Sequence, residues 1–188
     1  MRQSLLLQRS QQPKQKQAEK SAIIVDAILQ SDAFRSSENI ALYHAVRGEA
    51  DPAGLIYSRP DNSEKNFFLP VISSNKSQGL EFAPFNTNTQ YKNNQFSIPE
   101  PSVESSDLIN GESLDLVIMP LLGFDNKGNR LGMGGGYYDR CFSFKKSSPK
   151  KPVLLGFAYD FQQIDVIYTE PWDIRLDMIT TELRFLYF

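Results

Sequence analysis

The chain has 188 residues, 40% of them hydrophobic and 22% charged, with a formal net charge of −2. That composition is globular, fits one domain, and removes the electrostatic case for general nucleic-acid binding. One cysteine, Cys141, and one histidine, His44, exclude an intrachain disulfide, a cysteine-rich zinc site and a paired-histidine zinc site.

Residues 1–12 read as a short helix with Leu5, Leu6 and Leu7 as its apolar side. A longer helix is predicted over 14–34, where Ala18, Ala22, Val25 and Leu29 recur at roughly helical spacing behind Pro13. Residues 39–46 predict a strand, 47–51 a turn through Gly48, and Pro52 opens a helix over 53–58. Two more strands are predicted, Asn66–Ile72 and 80–85, separated by a polar turn over 73–79. Pro70 argues for an edge position or a strand end. Residues 86–113, with Pro99 and Pro101, read mostly as loop, and a connection that long is usually functional or mobile.

The clearest buried strand is 114–119, followed by a helix over 137–144, a loop over 147–151 and a second buried strand over 152–159. The alternation predicts a single three-layer α/β domain over 1–188. Its central sheet should be mainly parallel and flanked by helices (Rossmann-like), with a site at the C-terminal ends of the strands closed over by 86–113. The longest apolar stretches are too short to span a bilayer, and the polar run after Leu7 is wrong for a secretory signal. A cytoplasmic monomer with no membrane or nucleic-acid partner is expected.

Residues 115–140 read DLVIMPLLGFDNKGNRLGMGGGYYDR. A strand ends at Pro120, and Gly132, Gly134, Gly135 and Gly136 precede a helix. Glycines let backbone amides approach a ligand closely, and a following helix start favours an anion such as phosphate. Arg130 and Arg140 flank the loop, where forked guanidinium contacts suit phosphate oxygens. The loop lacks the Lys-Ser/Thr pair of a Walker A loop, and Tyr137 breaks G-x-G-x-x-G. On pattern alone, a phosphate loop and a ligand-free glycine-rich turn both remain open.

The full string F-D-x-x-G-x-R-L-G-M-G-G-G-Y-Y-D-R resembles that of the 5-formyltetrahydrofolate cyclo-ligase family, also called methenyltetrahydrofolate synthetases. YHAVRGEAD at 43–51 resembles the family's substrate stretch, 68–70 its L-P strand, IPEP at 98–101 its I-x-E-P loop, and WDIRLDMITTE at 172–182 its closing segment. The resemblance implies ATP- and magnesium-dependent closure of 5-formyltetrahydrofolate to 5,10-methenyltetrahydrofolate, with release of ADP and phosphate. The formyl oxygen would attack the γ-phosphate, giving an iminium phosphate that the neighbouring folate nitrogen closes upon. Such a route asks for positioning and charge stabilisation more than for a protein nucleophile.

By the same resemblance, ATP would be held by Arg2, Arg130, Leu131, Gly132, Met133, Gly134, Gly135, Gly136, Tyr137 and Tyr138. Arg130 and Tyr137 would be catalytic, with Arg130 on the γ-phosphate. Glu49, Asp51 and Tyr137 would bind the folate; which of the two acids holds the pterin stays open, as does a solvated turn. Asp139 and Asp173 would bind magnesium, with Asp177 as an alternative ligand and a helix-start carboxylate as the bland reading of Asp139. The family's N-terminal K-x-x-x-R is represented only by an arginine, in Arg2 with Arg9 next along, and Gly135 stands where relatives often carry lysine. Both departures remove positive charge near the phosphates. The competing readings are a catalytically silent folate- or nucleotide-binding relative, and a sugar-phosphate or acyl-CoA enzyme on a similar scaffold.

Overall fold

A computed structural model describes residues 1–57, 65–86, 88–147 and 151–188. Ser58, the expected end of one helix, Thr87 in the long segment and residues 148–150 of the lysine-rich loop lie outside the described residues. Seven strands form the main sheet: β1 (Asn39–Ala41), β2 (Asn66–Ile72), β3 (Leu80–Pro84), β6 (Leu116–Met119), β9 (Val153–Phe157), β10 (Met178–Thr180) and β11 (Phe185–Tyr187). Their order is β11-β10-β9-β6-β1-β2-β3. The inner run from β10 to β2 is parallel, and the edge strands β3 and β11 are antiparallel, so the mainly parallel sheet holds.

Alternation along the strands makes two cores. Ile40, Leu116, Ile118, Leu155 and Phe157 share one with Ile24, Val25, Ile28 and Leu29 of α2 (Lys14–Leu29). Ala41, Val117, Met119, Leu154 and Ile179 share the other with Leu121, Phe142 and Cys141, the last residue of α5 (Tyr137–Cys141). These are the three layers. Among the described residues no helix is long and apolar enough to cross a membrane.

Several boundaries differ from expectation, each for a local reason. The 14–34 helix divides, because the Ser31 hydroxyl accepts from the Phe34 amide at 3.2 Å and starts a new helix, α3 (Asp32–Arg35). The 39–46 strand stops at Ala41. After the Leu42 amide bonds the Phe68 carbonyl, the chain leaves the ladder for a turn with positive φ at Arg47 and Gly48. The 53–58 helix is only the short α4 (Gly54–Tyr57), and the 137–144 helix gives way after Cys141 to a 3₁₀ turn, Ser143–Lys146.

Pro70 is not on an edge strand: β2 lies between β1 and β3. It is tolerated because β1 has already ended on that side. Its opposite partner Phe82 spends its own amide and carbonyl on Ile109 instead. Farther along that open side, the Ile72 amide donates to the buried Glu100 carboxylate at 3.0 Å. Glu100 belongs to a ribbon of β4 (Tyr91–Asn93) and β5 (Pro99–Pro101), so the 86–113 segment, mostly loop as expected, carries a small structured flap.

Candidate active site

Beyond β6 the chain forms a small hairpin of β7 (Gly123–Phe124) and β8 (Arg130–Leu131). Its turn is built on Asp125, which is 1% exposed. The carboxylate accepts from the amides of Lys127, Asn129 and Ile167 and from the Asn129 side chain at 2.8 Å. Burial alone would raise its pKa, but these bonds outweigh it and hold the acid below its ordinary value. Gly128 adopts φ +77°, and a Cβ there would meet the Leu176 carbonyl at 2.9 Å. This rigid turn sets Arg130 at the entrance to the glycine loop.

In the loop, a Cβ at Gly132 or Gly134 would meet no atom within 4 Å. Gly134 holds φ +94°, a conformation that itself favours glycine, whereas neither packing nor a positive φ requires the glycine at Gly132. Gly136, at φ +63°, starts α5. Arg140 turns back, donating to the Gly135 carbonyl at 3.0 Å, with its guanidinium 4.9 Å from the Tyr137 ring centre. It steadies the loop.

Arg130 and Asp139 meet directly, Nη2 to Oδ1 at 2.7 Å, with side chains 6% and 19% exposed. Arg130 also donates to the Ile174 carbonyl, and the Ile174 amide donates to Asp139 at 3.1 Å. Asp173 precedes Ile174, and its Oδ2 accepts from the Glu170 amide at 2.8 Å. Asp177 is spent elsewhere, on Lys145 at 2.7 Å and the Leu154 amide at 2.8 Å. Arg2, from α1 (Arg2–Ser10), reaches the loop, donating from Nε to the Gly132 carbonyl at 3.0 Å.

Two cavities border this loop. One, about 420 Å³, lies among Met1, Arg2, Gln3, Leu131, Val166, Ile167 and Tyr168. The other, about 350 Å³, lies among Gly134, Gly135, Gly136, Asp139, Arg140, Lys146, Trp172 and their neighbours. Among the described residues no three or more His, Cys, Asp or Glu gather as a ready metal cluster. The Ile174 amide brings the backbone next to Asp173 up to Asp139, and two such acids are a donor set of the kind magnesium takes, its shell completed by water and phosphate oxygens.

The acidic stretch lies on the far side of Tyr138. Glu49 is 12% exposed, and its oxygens take Arg9 Nη1 at 3.3 Å and the Val46 amide at 3.0 Å. Burial raises its pKa, and Arg9 is the leading opposing influence. Tyr138 also sits above its ordinary value, through burial first and the Glu49 charge second. Asp51 is exposed and spends Oδ1 on the Ala53 amide at 2.9 Å. His44 packs edge-on to Tyr91 at 5.1 Å, and its buried Nε2 has no hydrogen-bond partner among the described residues.

The flap closes on Tyr137: Gln95 donates to its hydroxyl at 3.1 Å, and the Phe96 ring meets its ring at 5.9 Å, edge-on. Phe82 and Phe85 are core residues, against Phe142 and Phe67. Of the clustered lysines, Lys145 binds Asp177, Lys146 the Pro171 carbonyl and Lys151 Asp115. Sequence reasoning offered Arg9 only as an alternative to Arg2 on the ATP side, not as a partner of Glu49, and it did not reach Gln95 or Phe96. None of these has a local signal, since each acts only through partners distant in the chain.

Fold and site together define a three-layer α/β protein with a glycine loop beyond the carboxyl end of a central strand, flanked by an arginine and carboxylates. The model of the 5-formyltetrahydrofolate cyclo-ligase family matches residues 1–182, and the chain belongs to that family of enzymes. A 5-formyltetrahydrofolate cyclo-ligase from Haemophilus influenzae is 39% identical over 142 residues, covering 76% of this chain and 74% of the relative. One from Escherichia coli K12 is 32% identical over 145 residues, covering 77% and 78%. The NMR structure of 5,10-methenyltetrahydrofolate synthetase from Aquifex aeolicus superposes with a TM-score of 0.81 at 26% identity, covering 99% of this chain and 90% of the other.

Proposed function

We propose that the protein closes 5-formyltetrahydrofolate to 5,10-methenyltetrahydrofolate at the expense of ATP, releasing ADP and phosphate. The observation that carries this is the meeting of Arg130, Asp139 and the segment around Asp173 beside glycines whose missing side chains leave open space. The amides of Gly132, Gly134, Gly135 and Gly136 take phosphate oxygens, and Arg2 tethers the loop from α1. Arg130 stabilises charge that grows on the transferred γ-phosphoryl group, a task worth most in a site closed to water.

Asp139 and Asp173 would hold magnesium, which neutralises phosphate charge when bound. Tyr137 lies between loop and flap, and with Glu49 and Asp51 it meets the folate; a carboxylate suits the pterin's amide and amino donors. The formyl oxygen attacks the γ-phosphate, and the neighbouring folate nitrogen displaces phosphate from the resulting iminium phosphate. The protein orients the reactants and supplies no nucleophile. We take it to act as a cytoplasmic monomer, and sedimentation of the purified chain as a dimer would refute the second point.

The deciding assay follows absorbance near about 360 nm, where the methenyl product absorbs, with 5-formyltetrahydrofolate, ATP and magnesium. An ATP-dependent rise that collapses in Arg130→Ala supports the reading. No rise, with folate or nucleotide still binding, replaces it with a silent binding relative.

A further inference from the structure

Helix α1 leads into the site at both ends. Near its start, Arg2 bonds the glycine loop through the Gly132 carbonyl. At its other end Arg9 is 1% exposed, one of the largest fully buried side chains of the molecule. A guanidinium is buried at that depth only with its charge and donors matched. Arg9 meets that demand with Glu49 Oε1 at 3.3 Å, the Arg47 carbonyl at 3.2 Å and the Leu121 carbonyl at 3.3 Å. Apart from Leu5, it is the only buried residue of α1.

The turn that carries Glu49 is fitted to this arginine. A Cβ on Gly48 would lie 3.1 Å from the Arg9 carbonyl, and Gly48 holds φ +75°. The Val46 amide takes the second Glu49 oxygen, so the carboxylate is fixed in direction. An ionised carboxylate offers about four lone-pair sites, so two such bonds leave acceptor capacity for a further donor.

We infer that Arg9 is a positioning residue for the substrate: buried behind the 46–49 turn, it holds Glu49 in place and presents it to the folate. This rests on the proposed folate role of Glu49. The titratable and charged groups facing Glu49 are Arg9 from α1, Arg47 from its own turn, Tyr43 from the segment after β1 and Tyr138 from α5. Burial favours the neutral acid and Arg9 opposes it most, so the arginine also works against protonation of the acceptor. Without it Glu49 would take up its proton at higher pH, and folate affinity would begin to fall at higher pH.

The test uses full-length Arg9→Gln, Arg9→Lys, Glu49→Gln and the Arg9→Gln/Glu49→Gln double variant, each checked for cooperative thermal unfolding. Calorimetric titrations with 5-formyltetrahydrofolate and with Mg-ATP are run separately, and folate kcat/KM is followed against pH. Arg9→Gln should weaken folate about tenfold, leave Mg-ATP within about twofold and move the acid limb upward. Arg9→Lys, which keeps the charge but not the fork, should lose only about threefold. The double variant should bind no more weakly than Glu49→Gln alone.

The inference is overturned if folate affinity and pH profile are unchanged in Arg9→Gln while Glu49→Gln is impaired. It is equally overturned if both ligands weaken together, or if the two single effects multiply. Normal folate binding by Glu49→Gln removes the assignment of Glu49 itself, and the inference with it. Should Arg9→Gln not fold, Arg9→Lys decides, and wild-type folate binding there overturns the proposal.

Discussion

Arg130 and Asp139 form a partly buried ion pair, Nη2 to Oδ1 at 2.7 Å, and the same carboxylate oxygen accepts the Ile174 amide. The proposed phosphate-binding cation and one proposed magnesium ligand thus neutralise each other when no ligand is bound. Phosphate arriving alone must draw Arg130 from its partner and leave a carboxylate facing its own negative charge. Magnesium arriving alone must compete with a guanidinium. Arriving together, each compensates the group the other leaves, which is a coupling free energy. ATP should bind at least about tenfold more tightly with magnesium than without it, in titrations of the wild type. Asp139→Asn should erase most of that difference. Equal ATP affinity with and without magnesium in the wild type would refute the coupling.

Removing the arginine should act on both catalysis and stability. Arg130→Ala is expected to lower kcat/KM by roughly 10²–10³-fold through lost transition-state stabilisation. It should also cost about 2 kcal/mol in urea unfolding, because Asp139 and the Ile174 carbonyl lose a partner together. Arg130→Lys should rescue little, since one ammonium cannot reproduce a fork spanning both acceptors. Near-normal turnover in Arg130→Lys would show that charge alone suffices.

The glycines divide into two kinds, and substitution separates them. Gly128→Ala forces a Cβ to 2.9 Å from both the Leu176 carbonyl and the Phe188 ring at φ +77°, so unfolding should shift by about 1–3 kcal/mol. Gly132 has no positive φ, and its Cβ would meet nothing within 4 Å. Gly132→Ala should therefore unfold like the wild type yet bind ATP more weakly. A Gly132→Ala protein with normal ATP affinity would mean that no ligand approaches this stretch of backbone.

The glycine loop was legible because its parts are contiguous: Arg130 to Asp139 is one string, and the hairpin that presents it closes over a few residues. The pairing of Arg9 with Glu49 was not legible. Arg9 sits on a mostly polar helix, and only the fold of the 46–49 turn, far along the chain, buries it against Glu49. Pro70 shows a local rule that was sound yet misplaced: proline does avoid a ladder partner, but β1 stops early enough to supply the gap inside the sheet. Strands β10 and β11 are three residues each, too short for alternation to stand out, and they hold through pairing with β9 and each other.

Cys141 gives a pH-dependent test of the second core. Burial pushes its pKa up to about 12, only partly offset by the backbone bonds around it. The thiol is 9% exposed and should resist disulfide reagents at neutral pH until the protein opens. In the unfolded chain it ionises near its ordinary value, so between that pH and about 12 the unfolded state has lost a proton that the folded state keeps. Its contribution is therefore complete below about pH 9 and lost as pH rises toward 12. Wild type should lose stability across that window faster than Cys141→Ala, a comparison that cancels tyrosine ionisation. Parallel stability curves would place the thiol in a solvated site instead.

The flap gives the last prediction, because Phe96 touches the loop while doing little for the fold. It is 47% exposed, and its ring meets Tyr137 edge-on at 5.9 Å, beside the Gln95 bond to the Tyr137 hydroxyl. An aromatic pair of this kind contributes about 0.5–1.5 kcal/mol, which corresponds to about two- to tenfold in binding. Phe96→Ala should raise the folate KM within that range and leave the melting temperature within about 2 °C. Its kcat should hold, since Tyr137 remains anchored through Arg140 stacked on its ring. A lost kcat with an unchanged KM would mean that the flap orders the catalytic loop rather than covering the substrate, and an unchanged enzyme would mean that it does neither.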